Sequence, residues 1–363
     1  MQINELIGYL NTLYPPQFQE SYDNSGLLVS RDNPEINKAL LTLDITPEVV
    51  DEAISENAEL IISHHPLIFK PLKKIHHKTP TEKIIRKALA NEIAIYSAHT
   101  NMDNAKGGTN DKLCELLNLK NCRVLNPMKE YLFKLVVFVP EAQGNDVRKV
   151  IFEAGGGTIG AYDSCSYNLE GKGSFRAGDN TNPYVGEKGE LHFEAETRIE
   201  TIVPKHLLNN AINKMIEAHP YEEVAYDIYP LANEYEAVGL GRIGKLEKPI
   251  SQGEFLDLVK DKLKADHLRF SGNQKQISTV AVCSGSGASF AKQAAAKKAD
   301  AYISGDFKYH EFQDAAEHLL VIDAGHYHTE KFVKDIFYQH ITEKFPKFAL
   351  YLSKVNTNPI NLY

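Results

Sequence analysis

The chain has 363 residues, 43% of them hydrophobic, and a formal net charge of −8, which together predict two or three domains with packed cores. The negative charge argues against nucleic acid as a partner, and no run approaches the roughly 18 apolar residues of a membrane span. The four cysteines form no C-x-x-C pair and the first residues show no signal-peptide pattern, so we expect no zinc ribbon, no disulfide scaffold and a cytoplasmic location.

In the first third of the chain, apolar runs typical of strands alternate with stretches of helical spacing. The helix that opens at Thr46 has a capping residue, a proline at its first position and an acidic residue in its first turn. This alternation predicts a parallel, doubly wound α/β sheet, in which ligands bind beyond the carboxyl ends of the strands. The predicted helices are 3–13, 46–57, 80–90 and 111–117, and the predicted strands are 27–29, 39–44, 58–64 and 93–96.

Two adjacent histidines, His64 and His65, stand where the third of these strands ends. Pro66 stops the strand, because it lacks a backbone donor and keeps the preceding residue extended. Successive side chains of a strand point to opposite faces, so the pair could reach two metal ions, or one ring could face a metal and the other the core. The same residues also fit a plain structural turn.

Other polar residues follow the neighbouring strands. Asp44, His99 and Asp103 all lie at carboxyl ends, where we expect them to gather beside the histidine pair. The pattern fits His99 as a ligand, a base or a hydrogen-bonding core residue. Asp44 fits an acid–base or orienting role, and, like Asp23, it also fits a simple turn residue.

The order of the predicted strands and helices changes near Tyr131. The order strand, helix, strands, helix, strand predicts an inserted α+β module that resembles a ferredoxin-like unit. Glycines 155 to 160 match the G-x-G-x-x-G pattern, but they follow a helix instead of joining a strand to a helix, so we reject a dinucleotide site. The predicted elements are strand 133–139, helix 145–154, extended segments up to 190–203, helix 204–218 and strand 224–229.

After Gly244 the first pattern returns, with predicted strands 277–283, 301–304 and 319–322 and predicted helices 288–299, 312–317 and 332–345. The stretch 300–306 parallels 58–64, and 323–326 parallels 97–99. We infer two similar α/β halves around a metal cleft, split by the insertion. The expected domains are 1–127 for the first half of the core, 128–232 for the insert and 233–363 for the second half.

The second half adds a histidine and a carboxylate. His326 and Glu330 share one face if the turn around them is helical. With His64, His65 and Asp103 they make three histidines and two carboxylates, too many for one catalytic tetrahedral ion and enough for two ions about 3.5–4 Å apart, which Glu330 could bridge. Imidazole and carboxylate together suit Zn, Fe, Mn or Ni better than Ca or Mg.

Two further motifs lie close to strand ends in this half. His310 and Asp306 follow strand 301–304 and fit roles in orienting ligands or moving protons. The run Ser284-Gly285-Ser286-Gly287 lies between a strand and a helix. It fits either a phosphate cradle at a helix N-terminus or a plain tight turn.

Together these motifs resemble those of one family, the GTP cyclohydrolase I type 2 homologues, also called NIF-three-like dinuclear metal proteins. The match covers both halves, and Tyr22 stands where many members carry tryptophan. The motifs are Asp23-Asn24-x-Gly26-Leu27, Ser63-His64-His65-Pro66, His99-Thr100-Asn101-x-Asp103 with Gly107-Gly108, Ser304-Gly305-Asp306 and Gly325-His326-Tyr327-x-Thr329-Glu330.

The resemblance implies metal ligands at His64, His65, Asp103, His326 and Glu330, with Glu330 touching both of two divalent ions. It also implies a toroidal homohexamer, a trimer of dimers, whose insert is a PII/CutA-like module. Two functions compete. One is a metal-dependent hydrolase acting on a nucleotide such as GTP or on a phosphoester. The other is a non-catalytic metal-binding or regulatory assembly whose insert senses a small molecule.

Overall fold

The computed structural model describes residues 1–315 and 317–362. Contacts divide the chain into two compact units. The larger unit is built from the chain up to Pro127 and again from Glu236 onward, and the smaller unit is Met128–Tyr235. Within the described ranges, no helix is both long enough and apolar enough to cross a membrane.

Helices and strands alternate along most of the chain. The first part contains α1 (Ile3–Leu13), β1 (Gly26–Val29), β2 (Lys38–Thr42), α2 (Pro47–Ser55), β3 (Leu60–Ser63), α3 (Pro80–Ala90), β4 (Ala94–Ser97), α4 (Thr100–Asn104), α5 (Thr109–Leu116) and β5 (Lys120–Met128). The middle part contains β6 (Leu132–Pro140), α6 (Gly144–Glu153), β7 (Tyr167–Arg176), β8 (Leu191–Pro204), α7 (Lys205–Ala218) and β9 (Tyr226–Leu231). The last part contains β10 (Tyr235–Ile250), α8 (Gln252–Leu263), β11 (Arg269–Ser271), β12 (Ile277–Val282), α9 (Ala291–Ala296), β13 (Ala301–Ser304), α10 (Tyr309–Ala315), β14 (Leu320–Asp323), α11 (His326–Glu330), α12 (Val333–Lys344) and β15 (Ala349–Leu352).

The larger unit contains two mixed sheets. The five-stranded sheet has the order β1-β4-β3-β2-β15, and the six-stranded sheet has the order β11-β14-β13-β12-β10-β5. Strands β2, β3 and β4 run parallel in the first, as do β12, β13 and β14 in the second. All four residues of β3 and of β13 are buried, as expected for parallel strands covered on both faces. The two sheets therefore present similar carboxyl edges.

Local sequence signals set the bounds of several helices. The Thr46 hydroxyl accepts a hydrogen bond from the Val49 N–H at 3.3 Å and caps α2. Thr79 does the same for α3 through the Glu82 N–H, also at 3.3 Å, and a proline follows each cap. The predicted bounds of α1 and α3 are confirmed. The predicted helix 312–317 includes residue 316, which lies outside the described residues.

The prediction of a parallel sheet is confirmed for the central strands but is wrong for some of the strands that flank them. Strand β1 runs antiparallel to β4, β10 runs antiparallel to β12, and β11 runs antiparallel to β14. An antiparallel neighbour needs no crossover helix and tolerates a half-exposed face, so its sequence lacks the continuous apolar run that revealed the central strands.

The smaller unit is a four-stranded antiparallel sheet in the order β7-β8-β6-β9 with two helices. Both helices pack on one face of the sheet, through a core that includes Leu135, Val137, Ile151, Ile199 and Ile212. Side chains alternate across a strand. The residues at positions 138, 196 and 198 therefore lie on the opposite face, away from α6 and α7.

Candidate metal centre

The first half of the larger unit brings four polar side chains to one edge of its sheet. His64 and His65 directly follow β3, and His99 follows β4. The short helix α4 then carries Asp103, which is buried with the rest of that helix. The rings of His64 and His99 have centroids 5.2 Å apart, and those of His65 and His99 are 5.5 Å apart.

The second half brings α11 against this group. His326 and Glu330 are the first and last residues of α11, so the predicted pairing of the two on one helical face is confirmed. The Nε2 atoms of His326 and His65 are 3.2 Å apart, although the two residues are separated by 261 positions in the sequence.

Glu330 lies at the centre, and its carboxylate is 3% exposed. Its Oε2 lies 2.9 Å from His65 Nε2 and 3.0 Å from His326 Nε2. Its Oε1 lies 3.7 Å from His64 Nε2, which is itself 3.6 Å from Asp103 Oδ1. The two oxygens of one buried carboxylate therefore face two different sets of side chains.

All four imidazoles share one feature: an oxygen acceptor engages Nδ1. When a ring is neutral, its proton is therefore on Nδ1, and Nε2 offers a lone pair to the cleft. The contacts are His64 with Ala98 O at 2.8 Å, His65 with Asp44 Oδ1 at 2.7 Å, His99 with Asp23 Oδ1 at 2.7 Å and His326 with Asp306 Oδ2 at 2.7 Å.

The residues present fit a metal ion. His64 Nε2 is buried without a hydrogen-bond partner, which is uncommon for a buried polar atom and needs an explanation. Three groups bring candidate ligand atoms within 4.8 Å of one another: His64, Asp103 and Glu330; His65, His326 and Glu330; and His64, His65 and His99. Imidazole and carboxylate ligands suit Zn, Fe, Mn or Ni.

The charges in the cluster shift its titration strongly. Burial lowers the pKa of His65, but the carboxylates of Glu330 and Asp44 raise it to about 10. Burial likewise lowers the pKa of His326, but Glu330 and Asp306 raise it to about 11. Burial raises the pKa of Glu330, yet His326 and His65 hold it well below its usual value. Metal-free protein therefore keeps both imidazoles protonated and Glu330 ionised at neutral pH.

Metal binding should release protons over an unusually wide pH range. A ligating imidazole must be neutral, so a metal must displace one proton each from His65 and His326 at any pH below about 10. Burial lowers the pKa of His64, but Asp103 and Glu330 raise it above its usual value. Titration of metal-free protein with Mn²⁺ in buffers of different ionisation enthalpy should therefore show at least two protons released per chain between about pH 6 and 9. Metal affinity should rise with pH throughout that range.

The control for this titration is Asp44→Asn, which removes one of the charges that raise the pKa of His65 and should reduce proton release at pH 8. Asp51→Asn is the matched control, because it makes the same chemical change at a side chain that is 62% exposed. Release that falls to zero above pH 7 would contradict the protonated pair.

Small side chains and a glycine hold the carboxylates in place. Thr109 and Ser284 both donate from their hydroxyls to Asp103 Oδ1, Ser284 at 3.2 Å. Gly285 has φ of +60°, and a Cβ at this position would lie 2.1 Å from Glu330 Oε1. Only glycine lets this turn approach Glu330 so closely.

The phosphate-cradle interpretation of residues 284–287 finds no support in the geometry. The backbone N–H groups of Ser284, Gly285 and Gly287 donate to Asn110 Oδ1, Thr329 Oγ1 and Ser304 Oγ, each at 2.9 Å. Donors that are already bonded within the protein cannot cradle a phosphate. The alternative reading, a tight turn, describes the segment.

Sequence reasoning missed several supporting residues. The sequence also fits Asp23 as a simple turn residue, yet Asp23 holds His99, and its place in the Asp-Asn motif is the available signal. Thr357 donates to Asp44 Oδ2 at 2.6 Å from 313 positions away, and no local signal marks it. His310 lies exposed near the start of α10 with its ring against Tyr309 and belongs to none of the three candidate groups.

A cavity of about 180 Å³ lies beside His326. Its lining includes Asp306 and Tyr327 as well as Asn358, Ile360 and Leu362. The segment after β15 therefore forms part of the wall next to the candidate metal centre.

The chain is similar in sequence and in fold to several known proteins. A family model described as Duf34/NIF3 (NGG1p interacting factor 3) matches residues 1–359. A protein of Halalkalibacterium halodurans named GTP cyclohydrolase 1 type 2 homolog is 42% identical over 348 residues, covering 93% of this chain and 92% of that one. Its counterpart in Bacillus subtilis is 40% identical over 362 residues, covering 98% and 97%. A solved Bacillus cereus protein related to NIF3 superposes with a TM-score of 0.83 at 40% identity, covering 100% and 99%.

Proposed function

This chain belongs to the Duf34/NIF3 family, as its motifs predicted, and on that premise we propose that it binds two divalent metal ions and acts as a hydrolase on a nucleotide or phosphoester. One observation carries the proposal: the two oxygens of Glu330 face two separate sets of side chains. A shared carboxylate between two ligand sets is what a pair of ions requires, since such ions lie about 3.5–4 Å apart.

We assign the ligands as His64, His65, Asp103, His326 and Glu330. His64 and Asp103 would hold one ion, His65 and His326 would hold the other, and Glu330 would contribute to both. The donor set favours Zn, Fe, Mn or Ni. Asp44 and Asp306 fix the ring orientations of His65 and His326 from their Nδ1 sides, and such outer partners tune a metal's ligands.

When bound, a pair of divalent ions lowers the pKa of water and polarises a phosphoryl or carbonyl oxygen. The chain's own contribution to proton transfer is His99, which lies beside His64 and His65 but outside the two sets that share Glu330. Asp23 accepts from its Nδ1 at 2.7 Å and holds the ring, leaving Nε2 to accept and return a proton at the cleft. The Asp23–His99 pair has the arrangement of a base oriented by a carboxylate.

Metal counting tests the first part of this proposal. Protein stripped with a chelator and refilled with Mn²⁺ or Zn²⁺ should contain two ions per chain by elemental analysis. Saturation at one ion would contradict the paired site.

We also propose that the smaller unit is the inserted PII/CutA-like module and that it can be removed without loss of the metal site. A chain with residues 129–234 replaced by a short linker should therefore give the same metal count. A folded truncation that binds no metal would refute this.

The hydrolytic activity itself needs a broad substrate screen on protein of known metal content. GTP, other nucleotides and simple phosphoesters form the panel, and Glu330→Gln is the negative control. Turnover that follows metal content and disappears in the variant supports the hydrolase. Turnover that is equal in both preparations belongs to a contaminant.

A regulatory metal-binding assembly is the second candidate, in which the toroidal homohexamer implied by the family is a scaffold and not an enzyme. The observation that favours it is a groove of about 600 Å³ in the smaller unit, much larger than the cavity beside His326. A metal-loaded protein that turns over no member of the panel but binds a small molecule in that groove would favour this second candidate.

A further inference from the structure

The smaller unit carries a groove on the sheet face that its helices leave open. Two glycines of β7, Gly171 and Gly173, pair with Glu196 and Glu194 of β8, so this stretch of the face lacks side chains on one strand. Leu169 and Phe175 stand at either end of the gap. The resulting groove of about 600 Å³ is within the size range of small-molecule sites.

A buried carboxylate lines this groove without an ionic partner. Glu196 is 9% exposed, and its Oε1 accepts a hydrogen bond from the Tyr221 hydroxyl at 3.0 Å. Its Oε2 accepts no hydrogen bond from the described residues and lies next to Gly173, where a Cβ would approach it to 2.1 Å. Because this unpaired carboxylate oxygen lines the groove, it is available to a cation or a strong hydrogen-bond donor.

Aromatic rings surround this carboxylate. The Tyr221 ring has its centroid 6.1 Å from Phe175 and 6.2 Å from Tyr184, and Phe138 lines the same groove. Rings of this kind bind apolar bodies and attract cations to their faces.

The protein's own cations do not neutralise Glu196. Arg198 pairs with Glu200 at 2.9 Å and lies over the Phe138 ring at 5.6 Å. Lys172 and Arg176 are exposed at the rim, where charges are screened by solvent. No described cation is within ion-pair distance of Glu196.

We propose that this groove is a binding site for a small organic cation, an ammonium or guanidinium group carried on an apolar or aromatic body. The cationic head lies against Glu196 Oε2 above the backbone of Gly171, where a Cβ would meet nothing within 4 Å. The body packs between Phe138, Phe175 and Tyr221. The site is separate from the candidate metal centre and does not depend on the proposed hydrolase activity.

The test uses the full chain and 2-phenylethylamine as probe, with 2-phenylethanol as its neutral counterpart of the same shape. Calorimetry or ligand-observed NMR should show the amine binding at least about tenfold more tightly than the alcohol, since a charge-assisted hydrogen bond is lost with the ammonium. Equal binding of the two probes would overturn the proposal, because the carboxylate would then contribute nothing.

Three variants locate the site. Glu196→Gln should weaken amine binding by about ten- to a hundredfold. Glu170→Gln, which removes an exposed rim charge from the same groove, should change it less than about threefold. Gly171→Ile should abolish binding by filling the groove, and it is compatible with folding because a Cβ there meets nothing within 4 Å.

Each remaining outcome counts against the site. Equal effects of Glu196→Gln and Glu170→Gln would overturn the role of the buried carboxylate. Retention of amine binding by Gly171→Ile would place the amine elsewhere. Absence of amine binding at millimolar concentration would overturn the proposal. If Gly171→Ile then also changes the mass of the assembly, the groove is an interface between copies of this chain.

Discussion

Glu330→Gln is expected to lose metal and turnover together, whereas His99→Ala is expected to keep both ions and lose only turnover. An amide cannot compensate two cations as a carboxylate does, and Glu330 is the residue whose two oxygens face both ligand sets. The replacement also leaves His65 and His326 without the buried charge opposite them. His99 is held from Asp23 and lies outside the two sets that share Glu330, so its loss should reduce the rate by about 10²–10⁴-fold.

Metal counts and rates must come from the same preparations, with two matched controls. Glu115→Gln makes the same chemical change at a side chain that is 70% exposed, and His318→Ala removes an imidazole that is 73% exposed. Neither should alter metal content or rate. An empty site in His99→Ala together with two ions in Glu330→Gln would reverse the assigned roles and make His99 a ligand.

Arg242→Ala is expected to destabilise the larger unit by about 3 kcal/mol, because it leaves several buried acceptors without a donor. Arg242 is 3% exposed and donates to Asp111 Oδ1 at 2.6 Å. It also donates to the carbonyls of Gly239 at 2.8 Å and of Gly241 and Ala105 at 2.9 Å. One guanidinium thus ties the chain before the insert to the chain after it.

Native-state hydrogen exchange of peptides from 100–116 and 236–250 measures this loss within the larger unit alone. Arg123→Ala is the matched control, an exposed arginine on β5, and should cost less than about 0.5 kcal/mol. The double variant Arg242→Ala with Asp111→Ala should lose less than the sum of the two single variants, because the ion pair is counted twice in that sum. Strict additivity would mean that the pair is not coupled.

Much of the fold near the centre was predictable because its signals are local. Thr79 and Pro80 mark the start of α3, and apolar runs that stop at polar residues mark the ends of β3 and β13. No part of strand β10, which runs from Tyr235 to Ile250, was predicted. Its glycines lower strand propensity, but they allow close packing: a Cβ on Gly239 would lie 2.1 Å from Asn126 O. Such a requirement becomes visible only when the two segments are side by side.

The candidate site was likewise predictable only where its residues carry a local sequence signal. Histidines and acids at strand ends were predictable because strand alternation and parallel topology bring them to one edge. The residues that orient these histidines and acids were not predictable. Thr109 and Ser284 are small polar residues of kinds that occur throughout the chain. Thr109 reaches Asp103 from six positions away across the turn between α4 and α5, and Ser284 reaches it from 181 positions away through tertiary packing.

The segment after β15 has a practical consequence for anyone who purifies this protein. Thr357 donates to the same carboxylate that holds His65, and Asn358, Ile360 and Leu362 line the cavity beside His326. Proteolytic clipping within this stretch would loosen the metal-proximal rings while leaving every assigned ligand in the sample. An intact-mass measurement beside each metal count distinguishes a clipped batch from one that was poorly loaded.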